Sequence, residues 1–208
     1  MSDSIKNKIN EYYTQKIIVN GASAQGVDWN SKDSHILRFA QLTKLIEEPT
    51  GFTILDYGCG YGALIDSLNQ FGYKEYMYYG LDISSEMIKA AKGYYNKKNE
   101  CFATALSDFN EQKFDYVIAN GLFNVKLNIS EACWKEYILD TINEFNKLSV
   151  LGFAFNVLTS FSDKEYMKDY LHYSNPLELF EYCKVNFSKR VALLHDYPLY
   201  EYSIIVRK

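Results

Sequence analysis

Residues 54–62 of the chain read ILDYGCGYG, an apolar stretch that ends in Asp56 and continues into a loop with glycines at positions 58, 60 and 62. A glycine has no Cβ, so such a loop can take positive φ angles and lie in van der Waals contact with a ligand. A strand that leads into a loop of this kind is typical of α/β domains that bind nucleotide-like ligands. We expect the Asp56 carboxylate to accept hydrogen bonds from N–H groups of the loop and so to hold it open.

The composition indicates one domain that acts on a small molecule. The chain has 208 residues, of which 48% are hydrophobic, and this length lies close to the ~100 to 200 residues of one domain. The net charge of −4 argues against a protein that binds nucleic acid by neutralising phosphates. The cysteines, at positions 59, 101, 133 and 183, form no CxxC pair, which predicts reduced thiols in a cytoplasmic protein.

The first residues, MSDSIKNKINEYYTQK, are polar and charged, whereas a secretory signal requires an apolar segment. No uninterrupted apolar run approaches the ~20 residues that a membrane span needs. We therefore expect neither a secretion signal nor a membrane anchor. Nothing in the sequence predicts the oligomeric state.

Apolar patterns predict alternating strands and helices after two N-terminal helices. The N-terminal helices cover residues 4–15 and 33–47; Ser31 or Asp33 can cap the second, and Pro49 stops it. The later alternation predicts a parallel sheet with helices on both faces. The predicted strands cover residues 52–57, 77–82, 101–106, 114–120, 150–158, 190–195 and 201–208, and the later helices cover residues 63–71, 84–95, 130–148 and 177–187.

The last two predicted strands are joined by residues 196–200, DYPLY, and a connection that short joins only antiparallel neighbours. We therefore predict an α/β fold with a Rossmann-like, seven-stranded, mostly parallel sheet and an antiparallel C-terminal strand. A single domain is expected over residues 1–208, with an N-terminal helical cap over 1–50 and the Rossmann-like core over 51–208.

This arrangement, with Asp56-x-Gly58-x-Gly60 after the first strand, resembles the class I S-adenosylmethionine-dependent methyltransferases over residues 33–208. The resemblance implies that the cofactor is S-adenosylmethionine (SAM) and that S-adenosylhomocysteine (SAH) is the product. It also implies a wrap around the methionine part of SAM by Asp56, Gly58, Cys59 and Gly60. Asp82, which ends the second strand, matches the position of the family that binds the ribose hydroxyls.

The same resemblance assigns four further cofactor contacts. Ile83 would pack on the adenine ring, and Asp108, after the third strand, would accept a hydrogen bond from the adenine amino group. Asn120, at the end of the fourth strand, would face the sulfonium end. Arg38, on the helix before the first strand, would bind the carboxylate of the cofactor.

Several alternatives stay open on the sequence. Gly58-x-Gly60-x-x-Ala63 also satisfies the dinucleotide fingerprint, so the chain could be an NAD-binding oxidoreductase in which Asp82 binds the ribose. A non-catalytic SAM-binding protein would keep the same loop. Asp108 could be a turn or N-cap residue, and Arg38 could be a snorkelling side chain at the protein edge.

Methyl transfer from a sulfonium needs the reacting atoms held in line, and a general base if the acceptor is a hydroxyl. His195, at the end of the sixth strand, is the first candidate, and we expect it to border the pocket with Asp196 and Tyr197. A surface hairpin turn is the alternative. His172 is the second candidate, whereas His35 is expected on a helix surface.

The acceptor is predicted to be a small molecule, with Tyr13, Trp29, Phe123 and Tyr197 as its contacts. Tyr13 and Trp29 would cover the cofactor and exclude water, or they would only pack a helix onto the sheet. The Asn-Pro-Pro-Tyr signature of base methylation is absent after Asn120, and no metal is expected. The stretch GVDWNSKDSHILRF resembles small bacterial methyltransferases of polysaccharide and secondary-metabolite pathways, which suggests a sugar hydroxyl.

Overall fold

Residues 2–28, 31–110 and 112–208 are described by the computed structural model, and within these ranges seven strands form one sheet. Six α-helices accompany the sheet in the same ranges. The strands are β1 (Thr53–Tyr57), β2 (Met77–Leu81), β3 (Glu100–Ala103), β4 (Phe114–Ala119), β5 (Ser149–Leu158), β6 (Arg190–Leu194) and β7 (Glu201–Arg207). The helices are α1 (Ser2–Asn20), α2 (Lys32–Leu42), α3 (Leu64–Gln70), α4 (Ser85–Tyr94), α5 (Glu131–Leu148) and α6 (Pro176–Asn186).

The strand order in the sheet is β3-β2-β1-β4-β5-β7-β6. β1 pairs in parallel with β2 and β4, β2 with β3, and β4 with β5. β7 runs antiparallel to both of its neighbours, β5 and β6. The predicted mostly parallel sheet with an antiparallel C-terminal strand is therefore confirmed.

Alternate side chains of each central strand enter two separate cores, one on each face of the sheet. In β4, Val117 belongs to the core beneath α5 and α6, whereas Ile118 belongs to the core beneath α2, α3 and α4. β5 alternates in the same way, with Phe155 in the first core and Ala154 in the second. The helices thus cover both faces, as the runs of apolar residues in the sequence predict.

The N-terminal segment crosses from one face of the sheet to the other over the glycine loop. On α1, Ile5 and Ile9 are buried in the core beneath α5, whereas Phe39 of α2 is buried in the opposite core. Between these helices, Val27 lies so close to the loop that a Cβ on Gly60 would stand 2.8 Å from its Cγ1. The segment therefore contacts both faces of the sheet and covers the edge at which the parallel strands end.

α2 begins at one of the two predicted caps but ends earlier than predicted. Its N-cap is Ser31, whose side chain accepts a hydrogen bond from the backbone N–H of Ser34. The α-helix ends at Leu42, before Pro49, and a 3-10 turn over Thr43–Leu45 follows. Where the helix ends, the Thr43 hydroxyl donates to the Phe39 carbonyl. This side-chain hydrogen bond competes with the backbone hydrogen bonds of the helix and so favours its end here.

The connection between β3 and β4 contains a 3-10 turn at Leu106–Phe109 and no α-helix among its described residues. The space on this side of the sheet is occupied by α1, because Ile5 and Ile9 share a core with Leu81 and Phe109.

In the described part of the chain, no helix is long and apolar enough to cross a membrane.

Candidate functional site

A cavity of about 380 Å³ lies at the carboxyl ends of β1, β2 and β4, beneath the N-terminal segment. This volume falls within the ~300 to 1,000 Å³ of small-molecule sites. Its floor is the glycine loop that follows β1, and its cover comes from α1, Val27 and α2. The position agrees with the rule that open α/β sheets bind ligands beyond the carboxyl ends of their strands.

The glycine loop is held by β2 and not, as predicted, by Asp56. The backbone N–H groups of Gly58 and Cys59 donate to the Leu81 carbonyl over 2.8 and 3.0 Å. Gly60 N–H donates to Asp82 Oδ2 over 2.9 Å. The loop turns towards β2 because β1 and β2 are parallel neighbours, with Tyr57 opposite Leu81. The acceptors that the loop meets at the end of β2 are therefore the Leu81 carbonyl and the Asp82 carboxylate.

Asp56 borders the cavity but is buried, and its Oδ2 accepts a hydrogen bond of 2.7 Å from the Tyr78 hydroxyl. Burial raises the pKa of Asp56 to about 7, the Tyr78 hydrogen bond opposes this shift, and the nearby Asp82 carboxylate adds to it. Near neutral pH, Asp56 therefore exchanges a proton between its acid and carboxylate forms.

The raised pKa of Asp56 predicts a pH-dependent stability that an Asp56→Asn variant lacks. The folded-state pKa of about 7 lies above the ordinary value of 3.8, so the folded state binds the proton more tightly. The stability that this gives is present below about pH 4 and is lost as the pH rises through about 7. We expect the wild-type protein to lose unfolding free energy relative to Asp56→Asn by at most ~1.4 kcal/mol per pH unit over this window. Urea unfolding of both proteins between pH 4 and pH 8 measures the difference; parallel curves would contradict the expectation.

Asp82 forms the polar corner of the cavity at the end of β2. Its Oδ2 accepts from Gly60 N–H and its Oδ1 accepts from Ser84 N–H, both over 2.9 Å. Burial raises the pKa of Asp82 to about 6, and these two hydrogen bonds oppose the shift. Each carboxylate oxygen keeps a second lone pair, so the side chain can hold the loop and still accept hydrogen bonds from a ligand.

Ile83 also borders the cavity and is 38% exposed, so its apolar side chain is free to pack against a flat ring. Asp108 does not border it. Asp108 is exposed on the 3-10 turn after β3, where its N–H donates to the Ala105 carbonyl. This is the turn alternative that the sequence left open. The cavity is lined at this point by Thr104, Ala105 and Leu106.

Cys59 lines the cavity with its thiol enclosed by protein. Burial raises the pKa of Cys59 well above its ordinary value, and the nearby carboxylates of Asp82 and Asp56 add to the shift. The thiol is therefore protonated at neutral pH, which is unfavourable for a nucleophile.

Asn120 borders the cavity at the end of β4 and belongs to a buried polar network that the sequence did not predict. Its Oδ1 accepts from Asn156 Nδ2 over 3.0 Å, and the same Nδ2 donates to Glu201 Oε1 over 3.1 Å. Arg38 Nε donates to Glu201 Oε2 over 2.9 Å. Arg38 is 7% exposed and lies outside the cavity lining, so the snorkelling alternative is wrong.

The histidines differ most from the sequence expectations. His35, expected on a helix surface, is buried and lines the cavity; burial lowers its pKa to about 3, and Arg38 adds to this shift. Arg38 is also on the buried face of α2, where Glu201 is its ion-pair partner. His172 lies outside the cavity lining, with its Nδ1 2.8 Å from Glu131 Oε2.

His195 follows β6, the outermost strand beyond β7, and is exposed, with its ring near those of Phe161 and Tyr202. The expectation that His195, Asp196 and Tyr197 border the pocket is therefore wrong. The strand order explains the difference, because β5 and β7 separate β6 from the strands at the cavity. Tyr197 is buried, and its hydroxyl shares a hydrogen bond of 2.9 Å with Ser203.

Of the four predicted acceptor contacts, the structure brings Tyr13 to the cavity. Phe123 has no exposed surface and packs against the rings of Phe145 and Phe155 in the core beneath α5, so it cannot touch an acceptor. Trp29 lies outside the described residues.

Four side chains form a part of the cavity that we call the helical side: Lys6 and Tyr13 from α1, and Tyr137 and Glu144 from α5. Glu144 Oε2 accepts a hydrogen bond of 2.7 Å from the hydroxyl of Tyr57, which also lines the cavity. Only Tyr13 of these is predicted from the sequence. A signal exists, since both pairs are spaced by seven residues, two helical turns that bring side chains to one face.

The sequence is similar to known methyltransferases. Residues 55–136 match the family model described as "Methyltransferase domain". A protein of Mycobacterium tuberculosis named "Putative methyltransferase Rv1506c" is 43% identical over 166 residues, which are 79% of this chain and 98% of that protein.

The fold is similar to those of solved methyltransferases. The magnesium protoporphyrin IX methyltransferase ChlM from Synechocystis PCC 6803, crystallised with bound SAM, has a TM-score of 0.67 at 18% identity, over 98% of this chain and 97% of that chain. A SAM-dependent methyltransferase from Leishmania major has a TM-score of 0.65 at 14% identity, over 98% of this chain and 82% of that chain. At these identities the likeness concerns the fold alone.

Proposed function

This chain belongs to the class I SAM-dependent methyltransferases, and on that premise we propose that it methylates a small molecule at a hydroxyl group, on a sugar or a related metabolite. The observation that carries the proposal is the cavity itself, because the same space that reaches the glycine loop also reaches the helical side beneath α1. An acceptor held there would be enclosed by protein, which suits a small molecule.

The residues at the sheet edge suit SAM, which supplies an activated methyl group on a sulfonium and leaves as SAH. Gly58 and Gly60 have φ angles of +81° and +55°, so the loop presents bare backbone to the cavity. Asp82 would accept hydrogen bonds from the ribose hydroxyls while it anchors the loop. Asn120 fits the methionine end, since its Nδ2 is buried and has no hydrogen-bond partner among the described residues.

The other residues predicted to contact the cofactor fall into two groups, those that line the cavity and those that do not. Ile83 would pack against the adenine ring, and Asp56 would stay beneath the loop as a buried partner of Tyr78. Arg38 and Asp108 lie outside the cavity lining, so we propose no direct cofactor contact for either. Cys59 would contribute its backbone and no nucleophilic chemistry.

The helical side would bind the acceptor. Tyr13 and Tyr137 combine an apolar ring with a hydroxyl, which suits a ligand that has both carbon faces and hydroxyl groups. Glu144 offers a carboxylate that can accept a hydrogen bond from an acceptor hydroxyl, and the Tyr57 hydroxyl bond holds it in place. Orientation of this kind can supply ~7 to 11 kcal/mol of barrier reduction in favourable cases.

A histidine base at position 172 or 195 would need a movement that brings it to the cavity, so we assign the orienting role to Glu144. The NAD-dependent alternative is set aside because the chain shares 43% identity with its methyltransferase relative. The net charge of −4 supports a small acceptor over nucleic acid.

The proposal is tested with SAM labelled with ¹³C in the methyl group. We expect label in O-methyl products when the protein is incubated with panels of sugars and nucleotide-linked sugars, because the ¹³C shift of the product separates oxygen, nitrogen and carbon acceptors. Glu144→Gln should lower kcat/KM for the acceptor and leave SAH affinity unchanged. Glu136→Gln on the same helix, which lies outside this cavity, is the matched control. Label found only on nucleic acid or protein nitrogen would contradict the acceptor and leave the cofactor site intact.

A further inference from the structure

A buried polar network extends from Asn120, which lines the cavity, through Asn156 and Glu201, which do not. Asn156 and Glu201 lie on neighbouring antiparallel strands, β5 and β7, and neither has exposed surface. Asn156 makes three hydrogen bonds here: it donates to Asn120 and to Glu201, and its Oδ1 accepts from Gly121 N–H over 2.6 Å. The side chain of Asn120 and the backbone N–H of Gly121 are therefore both bound to one amide.

The partners of Asn156 fix which way its amide points. A backbone N–H can only donate, so Gly121 requires Oδ1 on its side. The Glu201 carboxylate, paired with Arg38 over 2.9 Å, accepts and therefore requires Nδ2 on the other side. The reverse orientation would place donor against donor at Gly121 and acceptor against acceptor at Glu201.

The orientation of Asn156 then fixes that of Asn120. Because Asn156 presents Nδ2 to it, Asn120 must accept with Oδ1, which leaves Asn120 Nδ2 as the group without a partner among the described residues. A buried donor that lacks a partner is costly, and an oxygen of a ligand in the adjoining cavity would remove that cost.

We propose that Asn156 and Glu201 are positioning residues that hold Asn120 as an N–H donor for the carboxylate of the amino-acid tail of SAM and SAH. The inference rests on the proposed cofactor site and extends it to two residues that do not line the cavity. A carboxylate is the oxygen acceptor that the tail offers, and charge-assisted hydrogen bonds to it are stronger than neutral ones.

The test compares two ligands that differ in the tail. SAH carries it, whereas 5′-methylthioadenosine keeps the nucleoside and lacks the amino-acid group. Calorimetric titration gives the ratio of their affinities for each variant, and this ratio does not move if a substitution only loosens the fold. We expect Asn156→Leu to lower the SAH preference by about tenfold and to leave 5′-methylthioadenosine affinity unchanged.

Asn124→Leu is the matched control. Asn124 is also a buried asparagine in the segment after β4, and its Oδ1 accepts from Leu158 N–H over 3.1 Å, but it lies outside the cavity lining. Its substitution should leave the affinity ratio at the wild-type value. Asn156→Ser serves as a second variant if Asn156→Leu does not fold.

A double-substituted protein separates positioning from general destabilisation. Asn120→Ala alone and Asn120→Ala with Asn156→Leu should show the same loss of SAH preference as Asn156→Leu, since all three remove one contact. An unchanged ratio in Asn156→Leu, or equal losses for both ligands, would overturn the positioning role. Wild-type protein that binds 5′-methylthioadenosine without preferring SAH would also overturn it while leaving the cofactor site in place, whereas binding of neither ligand would contradict the site itself.

Discussion

Asp82→Ala is expected to weaken SAH binding at least ~100-fold, the largest loss that a single substitution at the sheet edge should cause. The carboxylate accepts hydrogen bonds from Gly60 and Ser84 N–H groups over 2.9 Å each, so its removal releases the glycine loop as well as the ribose contact. Hydrogen bonds to charged groups contribute about 1.5–3 kcal/mol each, and two such losses give the expected factor. Calorimetric titration with SAH measures the effect.

Asp108→Ala is the control for this prediction. Both residues are aspartates that follow a strand of the sheet, but Asp108 is exposed on a turn outside the cavity lining. We expect SAH affinity within about twofold of the wild-type protein. Equal losses in the two variants would show that Asp82 has no special contact with the ligand, and the ribose assignment would then be wrong.

Arg38→Met is expected to destabilise the fold by about 3–5 kcal/mol, the cost of leaving one charge of a buried ion pair without its partner. Glu201 has no exposed surface, and burial raises its pKa while Arg38 and Asn156 oppose that shift. Removal of the guanidinium therefore leaves a carboxylate that water cannot reach. Urea unfolding at neutral pH measures the loss.

Arg38→Met combined with Glu201→Gln should recover most of that loss, because the second substitution removes the remaining charge and keeps a group that can accept from Asn156. The comparison distinguishes charge from packing. If the double variant is as unstable as Arg38→Met alone, the volume and other contacts of Arg38 account for its effect, and the ion-pair explanation is wrong.

The mostly parallel sheet, its antiparallel C-terminal strand and the glycine loop could be predicted from the sequence because their signals are local. The short, mainly apolar run over residues 52–55, followed by Asp56 and three glycines, has few structural solutions, and the five residues between the last two predicted strands allow only an antiparallel pair. The predicted boundaries of β1, β4 and α5 agree with the observed ones at one end and differ by one residue at the other.

The contacts that depend on how distant elements meet could not be predicted. The position of Asp56 before the glycines predicts that it holds the loop, but the partners of the loop come from β2, one strand away in space and about 25 residues away in the chain. The position of His195 at the end of a strand predicts a place at the pocket, but β6 lies at the far edge of the sheet, which local sequence does not reveal.

The helical side of the cavity illustrates the same limit. Its residues come from α1 and α5, which are more than 110 residues apart in the chain, and nothing in either helix reveals the other. α1 packs on this face of the sheet, where the described residues between β3 and β4 form a 3-10 turn and no α-helix. This packing is a tertiary effect that local patterns do not encode.

A crystal structure of the protein with bound SAH tests the central assignment most directly. We expect the nucleoside between the glycine loop and α1, with its ribose hydroxyls within hydrogen-bond distance of Asp82 and its amino-acid tail at Asn120. A ligand bound outside the cavity that Val27 and α1 cover, or one whose ribose does not contact Asp82, would contradict the assignment.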